Sequence, residues 1–360
     1  MRILYFSTVN WNWIKQRPHF IAEGLAGKGI EIEYISLTPI FKQKITKCES
    51  NNKFLNINDQ YVIPLASKIS LVERLNKLYI GRMLDKEYDV IILTHPFQYG
   101  YIKKSLKYNP KVIYDCMDNM PYFYEGKIKQ NVIMKEKQMC KDVDYIITSS
   151  SYLKERIIRE YDIHTNKITV IKNAVDEAFI TADTNKVELK HPNMMYVGTI
   201  SKWFDYETIN DFAKSNQHYT IYLIGPVDKE CSSIVSNLNK NIKLVGTIPH
   251  KELKSYILSG DIMLIPFKVN ELIKGVDPVK MYEYLALGKP VISSYWDELL
   301  VYKHSKLVCF YNNLDEFNEC IKEEPNKIKR IEYYLKSNQE FINKNNWDKR
   351  VNRYHELVML

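Results

Sequence analysis

The chain lacks the features that mark several common protein classes. It has no Cys-x-x-Cys pair, which argues against a zinc site, a redox motif or a disulfide framework and favours the reducing cytosol. Its six cysteines are widely scattered: Cys48, Cys116, Cys140, Cys231, Cys309 and Cys320. Near the N-terminus the apolar run from Ile3 to Phe6 is far too short for a signal peptide or a membrane span. We interpret it as a first buried strand.

The second half of the chain has no net charge, so the positive charge is concentrated in the first half. Residues 1–170 contain 26 lysines and arginines against 18 aspartates and glutamates, whereas residues 171–360 contain 25 of each. This excess predicts an anionic partner for the first half, unless the charge is only dispersed and solvated. A membrane surface fits, at about 1 kcal/mol per well-placed basic residue. Nucleic acid is not expected, because no reading module or basic and aromatic stripe accompanies the charge.

Short apolar runs alternate with amphipathic segments through two successive series. The first series predicts strands at residues 2–7, 31–36, 89–94, 111–114, 144–148 and 168–171, with helices at 17–26, 70–84 and 151–160. The second series predicts strands at residues 194–197, 220–224, 242–245, 262–265 and 291–293. Apolar strands separated by helices are typical of parallel sheets covered on both faces. We therefore predict an α/β protein with two doubly wound, Rossmann-like domains facing a cleft, and ligands beyond the carboxyl ends of the strands.

The length of 360 residues and the hydrophobic content of 45% are enough for two domains. We place the boundary near Lys172, after the last strand of the first series. This gives an N-terminal domain over residues 1–171 and a C-terminal domain over residues 172–344. The segment from about 345 to 360 has a helical pattern too apolar for a free tail, and we expect it to pack back onto the first domain.

One short segment carries the clearest chemical pattern. Lys280 and Glu283 are three residues apart on a predicted helix and so share one face. Since a helix N-terminus favours an anion, this face suits a diphosphate and a ribose. Gly288 predicts a left-handed C-cap, and Pro290 blocks further helix before the next strand. A solvated surface ion pair is the alternative interpretation of the same spacing.

Short motifs along nearly the whole chain support a family resemblance. They are QRPHFIA at residues 16–22, YDCMD at 114–118, IKNAVD at 171–176, YVGTI at 196–200, YLIGP at 222–226, VGTIPH at 245–250 and the segment 277–292. Each is weak alone. Their order and spacing resemble those of GT-B glycosyltransferases, close to family 4 and to bacterial enzymes that build capsular, teichuronic-acid-like or exopolysaccharide chains.

The resemblance implies that the C-terminal domain holds a sugar nucleotide. Glu283 matches the family's glutamate, whose carboxylate accepts hydrogen bonds from the ribose hydroxyls. Lys280 would face the diphosphate, where a charge-assisted contact contributes roughly 1.5–3 kcal/mol. Glycines at this site let backbone N–H groups approach the phosphates. The other residues implied to line the nucleotide are Gly198, Thr199, Lys202, Gly225, Pro226, Ile248 and Met281.

The sequence departs from the family pattern in two places. Retaining members usually carry an E-x7-E arrangement, but its first position is Gly275 here. They also usually have an arginine and a lysine in the loop where this chain offers only Thr199 and Lys202. Lys280 is therefore expected to carry the diphosphate charge largely alone. The stereochemistry stays open: either Asp277 replaces the missing carboxylate or the enzyme is inverting.

An inverting reaction needs a base in the first domain to take the acceptor's hydroxyl proton. Asp115 and Asp118 follow the predicted strand at residues 111–114 and have the right location. Asp118 is the first choice, since Asp115 at the strand end can be oriented into backbone contacts; for either, a structural or capping role is the alternative. In a retaining enzyme, Asp118 would instead bind the acceptor or a donor-sugar hydroxyl. Tryptophan rings suit sugar faces, and the candidate acceptor-binding residues are Asn10, Trp11, Arg17, His19 and His95.

We therefore expect a glycosyltransferase that moves a sugar, most simply from a UDP-sugar, to a hydroxyl of a lipid-linked or growing cell-surface glycan. No metal or other cofactor is expected, because Lys280, backbone N–H groups and helix N-termini can meet the charge of the leaving diphosphate. The expected location is cytoplasmic and peripheral at the inner face of the cell membrane. The alternatives are a nucleotide-sugar epimerase of the same fold and an inactive nucleotide-sugar-binding protein, which Gly275 would favour.

Overall fold

The computed structural model describes residues 1–40, 50–65, 69–176, 179, 185–328 and 339–360. Its contacts divide the chain into two compact units. The N-terminal unit consists of Met1–Lys172 together with Trp347–Leu360, and the C-terminal unit consists of Asn173–Asn346.

The N-terminal unit is built on a parallel seven-stranded sheet with the order β3-β2-β1-β4-β5-β6-β7. Its strands are β1 (Arg2–Ser7), β2 (Glu31–Pro39), β3 (Leu55–Val62), β4 (Val90–Leu93), β5 (Lys111–Cys116), β6 (Tyr145–Thr148) and β7 (Ile168–Val170). Its helices are α1 (Arg17–Gly27), α2 (Ser70–Met83), α3 (Gly126–Asp142), α4 (Ser151–Tyr161) and the C-terminal helix (Trp347–Met359). The central strands are buried along their length because helices cover both faces of a parallel sheet.

The C-terminal unit repeats this plan on a parallel six-stranded sheet with the order β10-β9-β8-β11-β12-β13. Its strands are β8 (Asn193–Val197), β9 (Thr220–Ile224), β10 (Ile242–Gly246), β11 (Ile262–Ile265), β12 (Val291–Ser294) and β13 (Val308–Tyr311). Its helices are α5 (Tyr206–Ser215), α6 (Ser232–Ser236), α7 (His250–Ser259), α8 (Glu271–Lys274), α9 (Val279–Ala286) and α10 (Leu314–Ile328). The carboxyl ends of β8, β9 and β10 therefore lie together at one edge of this sheet.

The predicted strands agree closely with the observed ones, and β1, β9 and β11 begin and end where the apolar runs do. Two strands were not predicted. Both β3 and β13 are edge strands, and β3 is half-exposed and largely polar. Because β3 is covered on fewer sides, it needs fewer apolar residues and its sequence signal is weaker. The apolar run VCFY of β13 was overlooked.

The C-terminal helix packs on α1. The rings of Phe20 and Trp347 are stacked with centroids 4.7 Å apart. Gly24 lets the helices approach closely, since a Cβ there would lie 2.4 Å from Cγ2 of Val351. Residues Trp347–Leu360 thus form part of the core of the N-terminal unit, together with Met1–Lys172.

The cysteine pattern argued against a disulfide framework, but one disulfide is present, because Cys309 and Cys320 are bonded to each other. The two cysteines look unrelated in sequence, yet α10 folds back along β13 and brings their Cα atoms to 5.8 Å. Cys116, Cys140 and Cys231 are free and buried, while Cys48 lies outside the described residues. In the described ranges, no helix combines the length and apolar character that crossing a membrane requires.

Candidate active site

Two glycines bring the ends of β8 and β9 into direct backbone contact in the C-terminal unit. The N–H of Gly198 donates to the carbonyl of Ile224 at 2.8 Å, and the N–H of Gly225 donates to the carbonyl of Gly246 at 2.8 Å. Their φ angles of 144° and 138° are ones that other residues rarely adopt. A Cβ at Gly225 would lie 2.2 Å from the carbonyl oxygen of Gly198. Only glycine fits these two positions.

We expect Gly225→Ala to destabilise the C-terminal unit by about 1–3 kcal/mol, because the added carbon meets backbone atoms and the φ is strained. Urea unfolding measures this free energy. Gly27→Ala is the matched control, since a Cβ at Gly27 meets nothing within 4 Å and its φ is not positive. Equal unfolding midpoints for the two variants would contradict the backbone contact.

The ammonium of Lys280 lies over the loop that follows β8. A Cβ at Gly198 would be 2.7 Å from Nζ of Lys280, so the lysine covers the bare backbone of the glycine. Its Nζ also lies 5.4 Å from the ring centroid of Tyr196 and 5.7 Å from that of Phe267, within cation–π range. Lys280, Gly198 and Gly225, which the sequence places far apart, therefore form one group, which we call the glycine–lysine group.

Glu283 lies on α9 beside Lys280 and is half-buried. Burial raises the pKa of the Glu283 carboxyl to about 7, Lys280 opposes this rise, and Asp176 adds to it. Burial likewise lowers the pKa of Lys280, against the attraction of Glu283. Both groups are thus poorly solvated in their charged forms, and a ligand with anionic and hydroxyl groups would compensate them.

The other residues predicted at the nucleotide site occupy different environments. The Thr199 carbonyl accepts a hydrogen bond from the Tyr196 hydroxyl at 2.8 Å, and the Pro226 carbonyl accepts one from the N–H of Ile200 at 2.9 Å. Lys202 is exposed in the same loop as Thr199. Ile248 is half-buried and packs against the core.

Two predictions for this unit are corrected by burial. Met281 is fully buried in the core, so its side chain is a packing residue and not a nucleotide contact. The Asp277 carboxylate is also buried and accepts hydrogen bonds from the Tyr282 hydroxyl at 3.0 Å and from the N–H of Asn173 at 2.6 Å. We therefore assign Asp277 to anchoring the start of the C-terminal unit. Asp277 does not replace the first glutamate of the E-x7-E arrangement, which is Gly275 in this chain.

A buried ion pair lies at the carboxyl end of β5 in the N-terminal unit. Arg17 is 4% exposed and Asp115 is fully buried, and their closest charged atoms are 3.1 Å apart. The Arg17 guanidinium also donates to the Ile171 carbonyl and to the Tyr354 hydroxyl, both at 2.7 Å. Tyr5 donates its hydroxyl to Asp115 at 3.2 Å. The predictions of Arg17 as an acceptor ligand and of Asp115 as a base are thus corrected, since both groups are engaged in structural contacts.

Asp118 remains the carboxylate of this region that is available for chemistry. It is half-buried, and among the described residues no protein group donates a hydrogen bond to its carboxylate. Burial raises the pKa of Asp118 to about 6; Arg17 opposes the rise and Asp115 adds to it. A carboxylate with this pKa is ionised at neutral pH and is a stronger base than an ordinary aspartate.

The remaining acceptor candidates belong to aromatic and polar clusters of the N-terminal unit. His19 is buried, with Nδ1 accepting from the N–H of Gln16. His95 is buried too: its Nδ1 accepts from the N–H of Phe97, and burial lowers its pKa to about 4. Neither imidazole is therefore open to an acceptor, which corrects those two predictions.

Asn10 and Trp11 are partly exposed. Asn10 donates to the carboxylate of Asp59 at 2.9 Å, and Trp11 packs edge-on against Tyr34, with ring centroids 4.8 Å apart. The exposed Trp13, two residues further on, was not predicted. The only signal in the sequence was a second tryptophan two residues after Trp11.

Sequence reasoning also missed the partners of Glu283. Asp176 was noted only as part of a motif, yet it raises the pKa of Glu283 and lies 3.7 Å from Nε2 of His250. The available signal was their position soon after strands: Asp176 follows β7, and His250 begins α7 shortly after β10. Within the described ranges, no three histidine, cysteine or acidic side chains form a metal-binding cluster.

Comparison with known proteins identifies the family. Residues 19–179 match the family described as Glycosyltransferase Family 4, and residues 191–323 match the family described as Glycosyl transferases group 1. The chain belongs to the glycosyltransferases. The two matched segments of this glycosyltransferase fall one in each unit, apart from the few residues around the boundary.

Two bacterial proteins match part of this chain. It is 25% identical over 199 residues to the putative teichuronic acid biosynthesis glycosyltransferase TuaH of Bacillus subtilis, covering 51% of this chain and 50% of the relative. It is 27% identical over 245 residues to an uncharacterized 41.2 kDa protein in the cps region of Klebsiella pneumoniae, covering 63% and 65%. The chain thus spans between half and two thirds of the length of these relatives.

A solved structure supports the fold over the whole chain. Anabaena HepE in complex with UDP and glucose superimposes with a TM-score of 0.71 at 12% identity, covering 99% of each chain. At this identity the similarity concerns the fold alone. Together with the two parallel sheets, it shows that the glycosyltransferase has the GT-B fold.

Proposed function

We propose that this protein transfers a sugar from a nucleotide-sugar donor to a hydroxyl of a lipid-linked or growing cell-surface glycan. The observation that carries the proposal is the glycine–lysine group beside Glu283. It combines bare backbone, a poorly solvated ammonium and a poorly solvated carboxylate, as a diphosphate joined to a ribose would require. The relation to a teichuronic acid glycosyltransferase supports a cell-surface glycan as the acceptor.

We propose a UDP-linked donor, since HepE of the same fold was solved with UDP and glucose. Lys280 would bind the diphosphate, and Glu283 would accept hydrogen bonds from the ribose hydroxyls. Thr199 would offer its backbone N–H to the phosphates, while Gly198, Gly225 and Pro226 would line the site without side chains that block it. In the N-terminal unit, Asp118 would act as the base that takes the acceptor proton, which implies inversion at the anomeric carbon.

Thermal-shift titration with UDP and UDP-sugars tests the donor site. The variant Lys280→Ala loses a charge-assisted contact of roughly 1.5–3 kcal/mol, so it should bind UDP about 10- to 150-fold more weakly than wild type. The rise in melting temperature at a fixed UDP concentration should be smaller for the same reason. Lys274→Ala is the matched control, because Lys274 is an exposed lysine on the preceding helix α8. Equal shifts in wild type and Lys280→Ala would remove Lys280 from the site.

The reaction is proposed to need no metal, because Lys280 and backbone N–H groups supply the positive charge that the leaving diphosphate requires. We expect EDTA to leave the transfer rate unchanged within about twofold. Activity that is lost in EDTA and restored by magnesium would contradict this.

Product analysis without acceptor separates transfer from epimerisation, since an epimerase would convert the UDP-sugar alone.

We further propose that the enzyme works at an anionic membrane surface on the cytoplasmic side, through its N-terminal unit. The support is the excess of positive charge in residues 1–170 and the lipid-linked acceptor proposed above. Electrostatic attraction to anionic lipids falls off within a Debye length, so the basic residues must lie near the surface.

A further inference from the structure

The outer face of α2 is apolar, which is unusual for a helix on the surface of its unit. Leu71, Leu75, Leu78 and Tyr79 are exposed, with Leu71 at 63% and Tyr79 at 54%. Their spacing of four, three and one residues places them in a single stripe along the helix. The opposite side of α2 packs inward through Ile80 and neighbouring residues. An exposed apolar stripe of this kind marks a surface that contacts another molecule or a membrane.

The charges on this stripe have one sign. Arg74 and Arg82 are exposed on the same side of α2 as the leucines, and no described residue forms an ion pair with either of them. The single acidic residue of the helix, Glu73, is half-buried and neutralised by Lys77 at 2.7 Å and by Lys135. The stripe therefore presents leucines and arginines without a compensating carboxylate.

The apolar and basic character continues on both sides of the helix. Before α2, the large side chains of Ile63, Leu65 and Ile69 are exposed. Near its C-terminal end, the hydroxyl of Ser105 donates to the Leu84 carbonyl, so the segment that contains the exposed residues Lys103 and Lys104 packs against the helix. The patch is thus apolar in its middle, and its C-terminal edge carries Lys103 and Lys104 together with Asp85, which pairs with Lys107 at 2.7 Å, and the exposed Glu87.

We propose that α2 and its flanking residues form a docking surface for an anionic lipid bilayer. Leucine and tyrosine side chains would enter the boundary between headgroups and acyl chains, as in helices that lie in the membrane plane. Arginines extend their charged ends toward the headgroups while their stems cover apolar surface. The proposed function enters this proposal in one respect: it supplies a lipid-linked acceptor as the reason for the enzyme to be at a membrane. The docking itself is inferred from the apolar and basic residues of the surface.

Charge complementarity argues against a second copy of the chain as the occupant. Most homodimers use the same patch on both subunits. Such an interface would bring Arg74 and Arg82 of one copy toward those of the other, and like charges brought together oppose association. A surface of lipid phosphates complements the same arginines.

Co-sedimentation with vesicles tests the proposal. The full chain should sediment with vesicles of equal parts phosphatidylcholine and phosphatidylglycerol, and much less with phosphatidylcholine alone. Arg74→Gln/Arg82→Gln should lower the partition constant roughly 30-fold on anionic vesicles, and Leu75→Ser/Leu78→Ser should lower it about tenfold or more. Ile234→Ser, an exposed apolar residue of the C-terminal unit, is the control and should bind like wild type.

Three results would overturn the proposal. They are equal binding by wild type and both double variants, equal binding to neutral and anionic vesicles, and a dimer of the free protein that the leucine substitutions dissociate. Cooperative thermal unfolding of each variant without ligand confirms that it is folded. UDP thermal shifts then separate the two proposals, because a folded protein that binds vesicles but gives no UDP shift refutes the donor site and leaves the docking surface intact.

Discussion

Asp118→Asn is expected to lower kcat/KM by about 10²–10⁴-fold, the usual contribution of a positioned general base. Asparagine has nearly the same shape but cannot take the acceptor proton. UDP affinity should stay unchanged, since the donor is proposed to bind the C-terminal unit. Transfer assays over a range of acceptor concentrations measure the loss. Asp142→Asn, at the exposed end of α3, is the control and should retain full activity.

The pH dependence gives a second measurement of the same group. Because burial raises the pKa of Asp118 to about 6, kcat/KM of the wild type should rise from pH 5 to 7 and then level off, whereas the residual rate of Asp118→Asn should lack this rise. A flat wild-type profile with full activity at pH 5 would contradict the base assignment. An anomeric configuration retained in the product would assign Asp118 to binding a hydroxyl instead.

Stability separates this loss of activity from misfolding. The folded-state pKa of Asp118 lies above its ordinary value, so the carboxyl stabilises the fold below about pH 4, and this contribution is lost as the pH rises through about 6. Above that pH the buried charge opposes folding. Asp118→Asn should therefore be at least as stable as wild type at pH 8, which thermal unfolding at pH 8 would show.

Arg17→Met is expected to lower the free energy of unfolding by about 3–5 kcal/mol, because it leaves the buried Asp115 without its cation. The variant also leaves the Ile171 carbonyl and the Tyr354 hydroxyl without their donor. Urea unfolding monitored in the N-terminal unit measures the change. This is the largest stability effect that we predict.

The double variant Arg17→Met/Asp115→Asn is the matched control. It removes the uncompensated charge and keeps an acceptor for Tyr5, which donates to Asp115 in the wild type. We expect it to recover part of the lost stability, since a neutral pair costs less to bury than a single charge. If Arg17→Met instead kept full stability and raised only the KM for the acceptor, Arg17 would return to the acceptor site.

The sequence predicted the parts of the structure that depend on local patterns. Continuous apolar runs located the central strands, since these are buried on both sides. Gly288 was correctly predicted as the left-handed end of α9, and its φ is 65°. The shared face of Lys280 and Glu283 followed from helical spacing alone.

Features that depend on distant parts of the chain were not accessible in this way. The prediction that Arg17 binds the acceptor could not take account of its partner Tyr354, which lies 337 residues away. The resemblance implied a nucleotide contact for Met281, yet its side chain is buried in the core. Helical spacing predicts which residues share a face but does not reveal which face is covered. The disulfide between Cys309 and Cys320 likewise required the path of α10.

The position of the C-terminal helix has a consequence for protein synthesis. The N-terminal unit needs Tyr354 to satisfy Arg17 and needs Trp347 to cover Phe20. On the ribosome, these residues emerge only after the whole C-terminal unit, roughly 10–40 s later than Lys172 at ordinary rates of translation. During that interval the first unit carries a polar group without its partner and an uncovered apolar surface. The first unit therefore completes its fold only after the second unit has been synthesised.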